Sequence, residues 1–192
     1  WNVGSNWSTE EVPLATDKVT IKGNAVITEN VNINTITIAD GASLTLESGV
    51  LTAEIINNKN AEAFVIEDGA QLFQNNDKLV ATFNMDIEKP SSWTSHTEGW
   101  QFVSSPVKNA EFESFIPAVG DYDLFKYDGT QELEWINIKN HGIGTDFEAE
   151  FVSGRGYIVS YEAQTSADFK GILNNDKSFG FKDIKPFDTE DH

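Results

Sequence analysis

Carboxylates and flat aromatic rings are the chemistry-bearing side chains that gather in this sequence, and they do so mainly after residue 92. Asp121, Asp123 and Asp128, the last followed by Gly129, flank and end one strand-like run. Oxygen donors of this kind are what Ca²⁺ takes, but that ion needs about six to eight of them, and no 12-residue loop pattern supplies the rest. The three are therefore expected as weak Ca²⁺ candidates, with turn capping and solvated carboxylates explaining the same spacing. Glu148 and Glu150 stand two apart on one face of an alternating run, a spacing that fits the paired carboxyls of glycoside hydrolysis. Outward Glu alternating with inward Phe147 and Phe151 is also the ordinary pattern of a solvated strand face, and Glu132 with Glu134 reads the same way.

The aromatic set comprises Trp93, Trp100, Trp135, Tyr122, Tyr127 and Tyr157. Sugars stack their C–H faces on such rings with Asp, Asn or Glu accepting from the hydroxyls; the bland alternative is core and edge packing. Trp93, Trp135, Tyr122 and Tyr127 are the glycan-binding candidates. Nothing marks a catalytic centre. His96, His141 and His192 are scattered with no H-E-x-x-H pairing, cysteine is absent, and no G-x-S-x-G occurs. Gly154-Arg155-Gly156 is followed by a strand pattern rather than a helix, so it is no phosphate loop. No catalytic residue is expected, and no cofactor beyond the weak Ca²⁺ candidates.

The charge balance narrows the partners. The 192 residues carry a formal net charge of −18, with acids outnumbering bases in both halves and Arg155 the single arginine. Such a field repels nucleic acid and anionic membrane and attracts cations, while keeping the protein soluble. Without cysteine there is no disulfide framework, and no apolar run reaches the roughly 18–20 residues that span a bilayer. The chain opens at Trp1 without Met and without a signal-peptide pattern, which reads as a processed mature chain or a segment of a longer protein.

The elements that must hold these residues are strands. Val19–Ile21, Ala25–Ile27, Val31–Ile33, Ile36–Ile38, Leu44–Leu46 and Phe64–Ile66 each alternate apolar with polar residues. The parity of the apolar set jumps between Ile33 and Ile36, which predicts a corner or bulge at Asn34 and Thr35. The phrase I-A-D-G-A-S-L at Ile38–Leu44 returns as I-E-D-G-A-Q-L at Ile66–Leu72, 28 residues on. An internal period in this range points to stacked rungs. Gly41 and Gly69 would make the tight turns, with Asp40 and Asp68 closing them. Trp1 and Trp7 are expected to cover the first rung, and Leu79–Glu88, the longest alternating run, to close the last. A Pro/Ser/Thr-rich break over residues 88–99 marks the domain boundary. Beyond it, a short helix is expected within Asn109–Ile116 and a hairpin from Asp123–Tyr127 and Leu133–Lys139. Strands follow at Phe147–Phe151, Tyr157–Tyr161 and Ala167–Leu173, with a polar tail over Asp183–His192.

Trp1, the N-W-S at Asn6–Ser8, Pro13 and the D-K-V-T-I at Asp17–Ile21 resemble the opening of secreted bacterial repeat proteins. In the second half, five phrases occur in order. They are G-W-Q-F-V-S-S-P at Gly99–Pro106, D-L-F-K-Y-D at Asp123–Asp128, L-E-W at Leu133–Trp135, G-R-G-Y at Gly154–Tyr157 and F-K-G-I-L-N at Phe169–Asn174. Together they resemble a module of secreted, multi-module surface proteins of Bacteroidetes, many of them exported by the type IX system. The resemblance implies an extracellular, cell-surface location and covalent linkage to further modules; it implies no catalytic residues. The expected fold is all-β: a short right-handed β-solenoid, parallel β-helix-like, over residues 1–92 with an N-terminal cap, then a jelly-roll-like β-sandwich over 99–192. The expected function is a non-enzymatic surface or adhesin-type segment that binds a glycan or another cell-surface partner. The alternative is a carbohydrate-binding module of a polysaccharide-degrading enzyme. A polysaccharide lyase is disfavoured, because a lone arginine and a charge of −18 offer no neutraliser for an acidic sugar.

Overall fold

The computed structural model describes residues 1–91, 93, 99–129, 134–144, 147–163 and 166–175. In chain order its elements are β1 (Lys18–Ile21), β2 (Asn24–Ile27), β3 (Val31–Ile38), β4 (Ser43–Leu46), β5 (Val50–Asn57), β6 (Phe64–Ile66), β7 (Gln71–Gln74), β8 (Val80–Asp86), β9 (Gln101–Val103), β10 (Tyr122–Tyr127), β11 (Trp135–Asn137), α1 (Ile138–His141), β12 (Tyr157–Tyr161) and β13 (Ser166–Ile172). The chain is thus nearly all β. Its described residues form two compact units: one from Trp1–Asp86, Pro106–Ala110 and Ser166–Asn175, the other from within Ile87–Ser105 and Glu111–Thr165.

The first unit is a solenoid-like stack. Odd strands pair in parallel as β1-β3-β5-β7, and even strands pair in parallel as β2-β4-β6-β8. Each pass of the chain therefore lays one strand in each sheet. Inward residues align into columns, such as Ile27, Leu46, Ile66 and Phe83, or Val31, Leu51 and Leu72. Ile27, Leu46 and Leu51 are fully buried, each contributing on the order of 1.5–3 kcal/mol. A single rung has no second layer against which to bury these side chains, so stacking is what makes the fold stable.

The rung is about 20 residues long, not 28: Val31 pairs with Leu51, and Leu44 with Phe64, twenty residues on in each case. Side-chain bonds repeat at the same interval, as in Val50 N–H to Asn30 Oδ1 at 3.0 Å and Asn57 Nδ2 to Thr37 Oγ1 at 3.1 Å. The repeated phrase marks something else. Its first copy turns the chain from β3 to β4 and its second from β6 to β7, so the copies sit at opposite corners of the coil. Both corners are the same four-residue turn, closed by Ala42 N–H to Ala39 O at 3.0 Å and Ala70 N–H to Glu67 O at 3.1 Å. Each puts glycine at the third position, with φ +81° at Gly41 and +80° at Gly69, a left-handed backbone that side-chain-bearing residues rarely adopt. Asp68 Oδ1 accepts from Gly69 N–H at 2.9 Å, as the sequence predicts. The parity jump after Ile33 is a bulge inside one continuous strand: the N–H groups of Asn34 and Thr35 both donate to Asp17 O.

The ends of the stack are treated differently. Trp1 and Trp7 meet edge to face at 4.8 Å, and the Trp1 nitrogen donates to Val26 O of β2 at 3.0 Å. At the other end β8 is not the last strand of its sheet. β13 returns from far along the chain and pairs with it antiparallel through seven residues, Ser166 opposite Asp86 to Ile172 opposite Val80. Ala167–Leu173, expected from the sequence in the second module, is a strand of the first; Ala167, Phe169 and Leu173 are buried there. The physical reason is the open edge of β8, whose unpaired N–H and C=O groups require a partner.

The second unit contains one four-stranded antiparallel sheet, β11-β10-β12-β9. Its buried face carries Val103, Leu124, Ile136, Tyr157 and Val159, packed under Phe112, Phe115, Phe147 and Phe151. The expected hairpin is β10 with β11, and residues 130–133 lie outside the described residues. Asn109–Ile116 forms a single 3₁₀ turn, Phe112–Phe115, rather than an α-helix. Phe147–Phe151 makes isolated bridges instead of a strand, although Phe147 and Phe151 are both buried, as its alternation predicts. Among the described residues the layer against this face is therefore irregular, not a second sheet. The tail expected over Asp183–His192 lies outside the described residues.

Gly49 has φ +76°, and a Cβ there would stand 2.8 Å from the Glu29 carbonyl carbon one rung below, whereas a Cβ on Gly41 meets nothing within 4 Å. Gly41→Ala is expected to cost about 1–2 kcal/mol through backbone conformation alone, and Gly49→Ala clearly more. Urea unfolding of both variants measures this; equal losses would refute the rung-to-rung contact.

Candidate functional site

The two faces of the antiparallel sheet differ in kind. Directly opposed residues share a face, so the register places Phe102, Ile158, Phe125 and Asn137 in one row across four strands. Tyr127 opposite Trp135 continues that face at one end, and Asp123 opposite Ser160 at the other. This is the face away from the phenylalanine cluster, and its rings are open to solvent: Phe102 is 79% exposed, Tyr127 51% and Trp135 41%. Trp100 meets Phe125 edge to face at 5.6 Å, and Tyr127 meets Trp135 likewise at 5.4 Å.

At the Asp123 end the site becomes polar. Asp123 is 2% exposed; its Oδ1 accepts from Asn137 Nδ2 at 2.6 Å and lies 3.1 Å from Lys139 Nζ, while its Oδ2 is buried without a hydrogen-bond partner. Lys139 also donates to Asp121 Oδ1 at 2.7 Å. The same ammonium faces two rings, 5.4 Å from the Tyr122 centroid and 5.9 Å from Trp93. Trp93 is fixed by its indole N–H, which donates to Ser160 Oγ at 3.0 Å. Lys139 reaches this position because Asn137 caps α1, its Oδ1 accepting from Lys139 N–H at 3.1 Å.

The electrostatics follow from these contacts. The Lys139 bond and the Tyr122 N–H hold the Asp121 carboxyl below its ordinary range. Burial opposes the charge on Lys139, but the bonds from Asp121 and Asp123 outweigh it and raise its pKa. Tyr122 is raised by burial.

The structure thus gathers four of the seven candidates around one lysine: Trp93, Tyr122, Asp121 and Asp123. Tyr127 and Trp135 form a separate pair at the opposite end of β10. Asp128 also lies at that far end, roughly 17 Å from Asp123 at ~3.3 Å per strand residue. The three aspartates therefore do not converge on one cation, and the Lys139 ammonium fills the position between the two that do approach. Among the described residues no group of three or more His, Cys, Asp or Glu gathers as a metal site. His96 and His192 lie outside the described residues, as does Glu132. Glu148 and Glu150 do not form a catalytic pair: Glu148 binds Lys126 at 3.2 Å and also pairs with Arg155, while Glu150 is exposed and bridges Glu111 through the backbone. Lys139, Asn137, Ser160 and Phe102 belong to the site and were not singled out from the sequence. The one available signal was a lysine in an acidic chain two residues after a strand with alternating parity.

The fold and site define a two-unit β protein, a solenoid-like stack with an antiparallel sheet that exposes aromatic rings. The chain belongs to the family described as domain of unknown function DUF8693, whose model matches residues 1–179 and so spans both units. No curated protein and no solved structure matches it. Among the described residues no helix is long and apolar enough to cross a membrane.

Burial raises the pKa of Glu148, but its own backbone N–H, Lys126 and Arg155 outweigh that and leave it below the ordinary 4.5. A depressed carboxyl stabilises the fold fully above its unfolded pKa and loses that contribution as pH falls through the folded value. Glu148→Gln is expected to destabilise by about 1–3 kcal/mol at pH 7, since it removes a charged partner of buried Lys126. The gap from wild type should be constant from pH 7 to about 5 and should close below about 4.5, as followed by urea denaturation. Taking the difference cancels the general relief of acid repulsion. A gap unchanged at pH 3 would refute the ion pair. In parallel, neither millimolar CaCl₂ nor EDTA should shift the Tm by more than about 1 °C, since an ion bound only by the native state would raise it.

Proposed function

We propose that this chain is a non-enzymatic binding segment of a larger extracellular bacterial surface protein, with the second unit presenting its aromatic sheet face to a glycan. The observation that carries this reading is the exposure of three rings, Phe102, Tyr127 and Trp135, on one sheet face, opposite a phenylalanine-lined core. Exposing large rings costs hydrophobic free energy, and an array of them beside amide and carboxylate acceptors suits sugar C–H faces and hydroxyls. In this reading the first unit is a stiff spacer, and the antiparallel sheet is half of a jelly-roll-like sandwich. The charge of −18 favours a neutral or cationic polymer over an acidic one.

A glycan array with the wild type and Trp135→Ala tests it. The wild type is expected to bind neutral oligosaccharides, and the variant to lose about tenfold in affinity, the equivalent of ~1.4 kcal/mol for one stacked ring. Circular dichroism checks that the variant is folded. No binding by folded wild type would overturn the glycan reading and leave a purely spatial role.

A further inference from the structure

Lys139 does what a ligand would do. Its ammonium stands between two aromatic rings and two carboxylates, Trp93, Tyr122, Asp121 and Asp123, an arrangement whose negative ring faces and acidic oxygens select a cation. The cage leaves one acceptor unmet. Asp123 Oδ2, on a side chain 2% exposed, has no hydrogen-bond partner, and such a buried acceptor invites a donor that Lys139 does not supply. The cage is also open on one side, since the Asp121 side chain is 52% exposed and that of Lys139 28%. The plug is carried on the shortest of supports, a four-residue helix ending at Gly142.

We propose that this cage is a subsite for the ammonium group of an amino sugar, held shut in the free protein by Lys139. Swinging the lysine stem outward exposes both carboxylates to the incoming ammonium, and Asp123 Oδ2 then accepts from that group or from a neighbouring sugar hydroxyl. A carboxylated sugar is repelled by the two aspartates, and an uncharged one gains none of their charge attraction. The choice of a sugar as carrier rests on the glycan reading above, because Trp93 and Asp123 continue the face that bears Tyr127 and Trp135; the preference for an ammonium does not.

The test uses the full chain and Lys139→Ala, with Lys139→Gln as the second variant should the first fail to fold. Tryptophan fluorescence is titrated with glucosamine, with N-acetylglucosamine as the uncharged control, sodium chloride at matched ionic strength, and lysine amide as a non-sugar ammonium. Removing the plug is expected to tighten glucosamine binding about tenfold over wild type, and to leave the response to N-acetylglucosamine unchanged from wild type. Asp121→Asn in the same background should reverse most of that gain. Equal binding by wild type and plug variant, or the same gain for N-acetylglucosamine or salt on removing the plug, would overturn the proposal. A response to lysine amide without one to glucosamine would overturn the amino sugar as ligand. Trp135→Ala should leave the glucosamine response intact, so failure of the exposed aromatic face and failure of the cage are read separately.

Discussion

The first unit depends on one constraint: no rung can bury its own apolar side chains. Ile27 leaves water only because Leu46 lies over it, and Leu46 only because Ile66 follows. Parallel pairing at a spacing of about 20 residues supplies that alignment, so backbone hydrogen bonding and burial are satisfied by the same act. Gly49 shows how tightly the rungs approach, since its missing side chain is what lets the corner close over Glu29.

A stack of this kind has ends, and an end is a row of unpaired backbone groups. Here one sheet is finished by a strand borrowed from residues 166–172, laid antiparallel against β8. This is why the chain contributes to the first unit three separate times, and it fits with a single family model extending across both units.

The second unit spends its burial on one face. Phe112, Phe115, Phe147 and Phe151 close over Tyr157 and Val159, and Tyr161 of β12 ties that layer down by donating to Phe115 O at 2.7 Å. The other face is left with rings in solvent and a carboxylate, Asp123, buried among an amide, a hydroxyl and an ammonium. A buried carboxylate with one oxygen unpartnered is costly for stability alone, and its place beside Trp93 and Tyr122 is what gives this face its chemical character.

Alternation is a local property, and so most strands from Val19 to Ile66 could be read from the residues themselves, as could the turns at Gly41 and Gly69, where the demand for positive φ is met within four residues. β5, Val50–Asn57, was not among them, because its buried residues Leu51, Ala53 and Ile56 change parity within the strand. The rung length could not, because rungs share parity and corner chemistry rather than identical phrases; the one phrase that does repeat marks opposite corners. Aspartates 121 and 123 and the rings of Trp93 and Tyr122 were recognisable as chemistry, yet their meeting point was not. Lys139 comes from a different element, and Ser160 lies 67 residues beyond the Trp93 it anchors. Which distant segments pair is decided by the sum of burial and hydrogen bonding over the whole chain. Only the folded molecule therefore fixed β13 against β8 and set an ammonium between two aromatic rings.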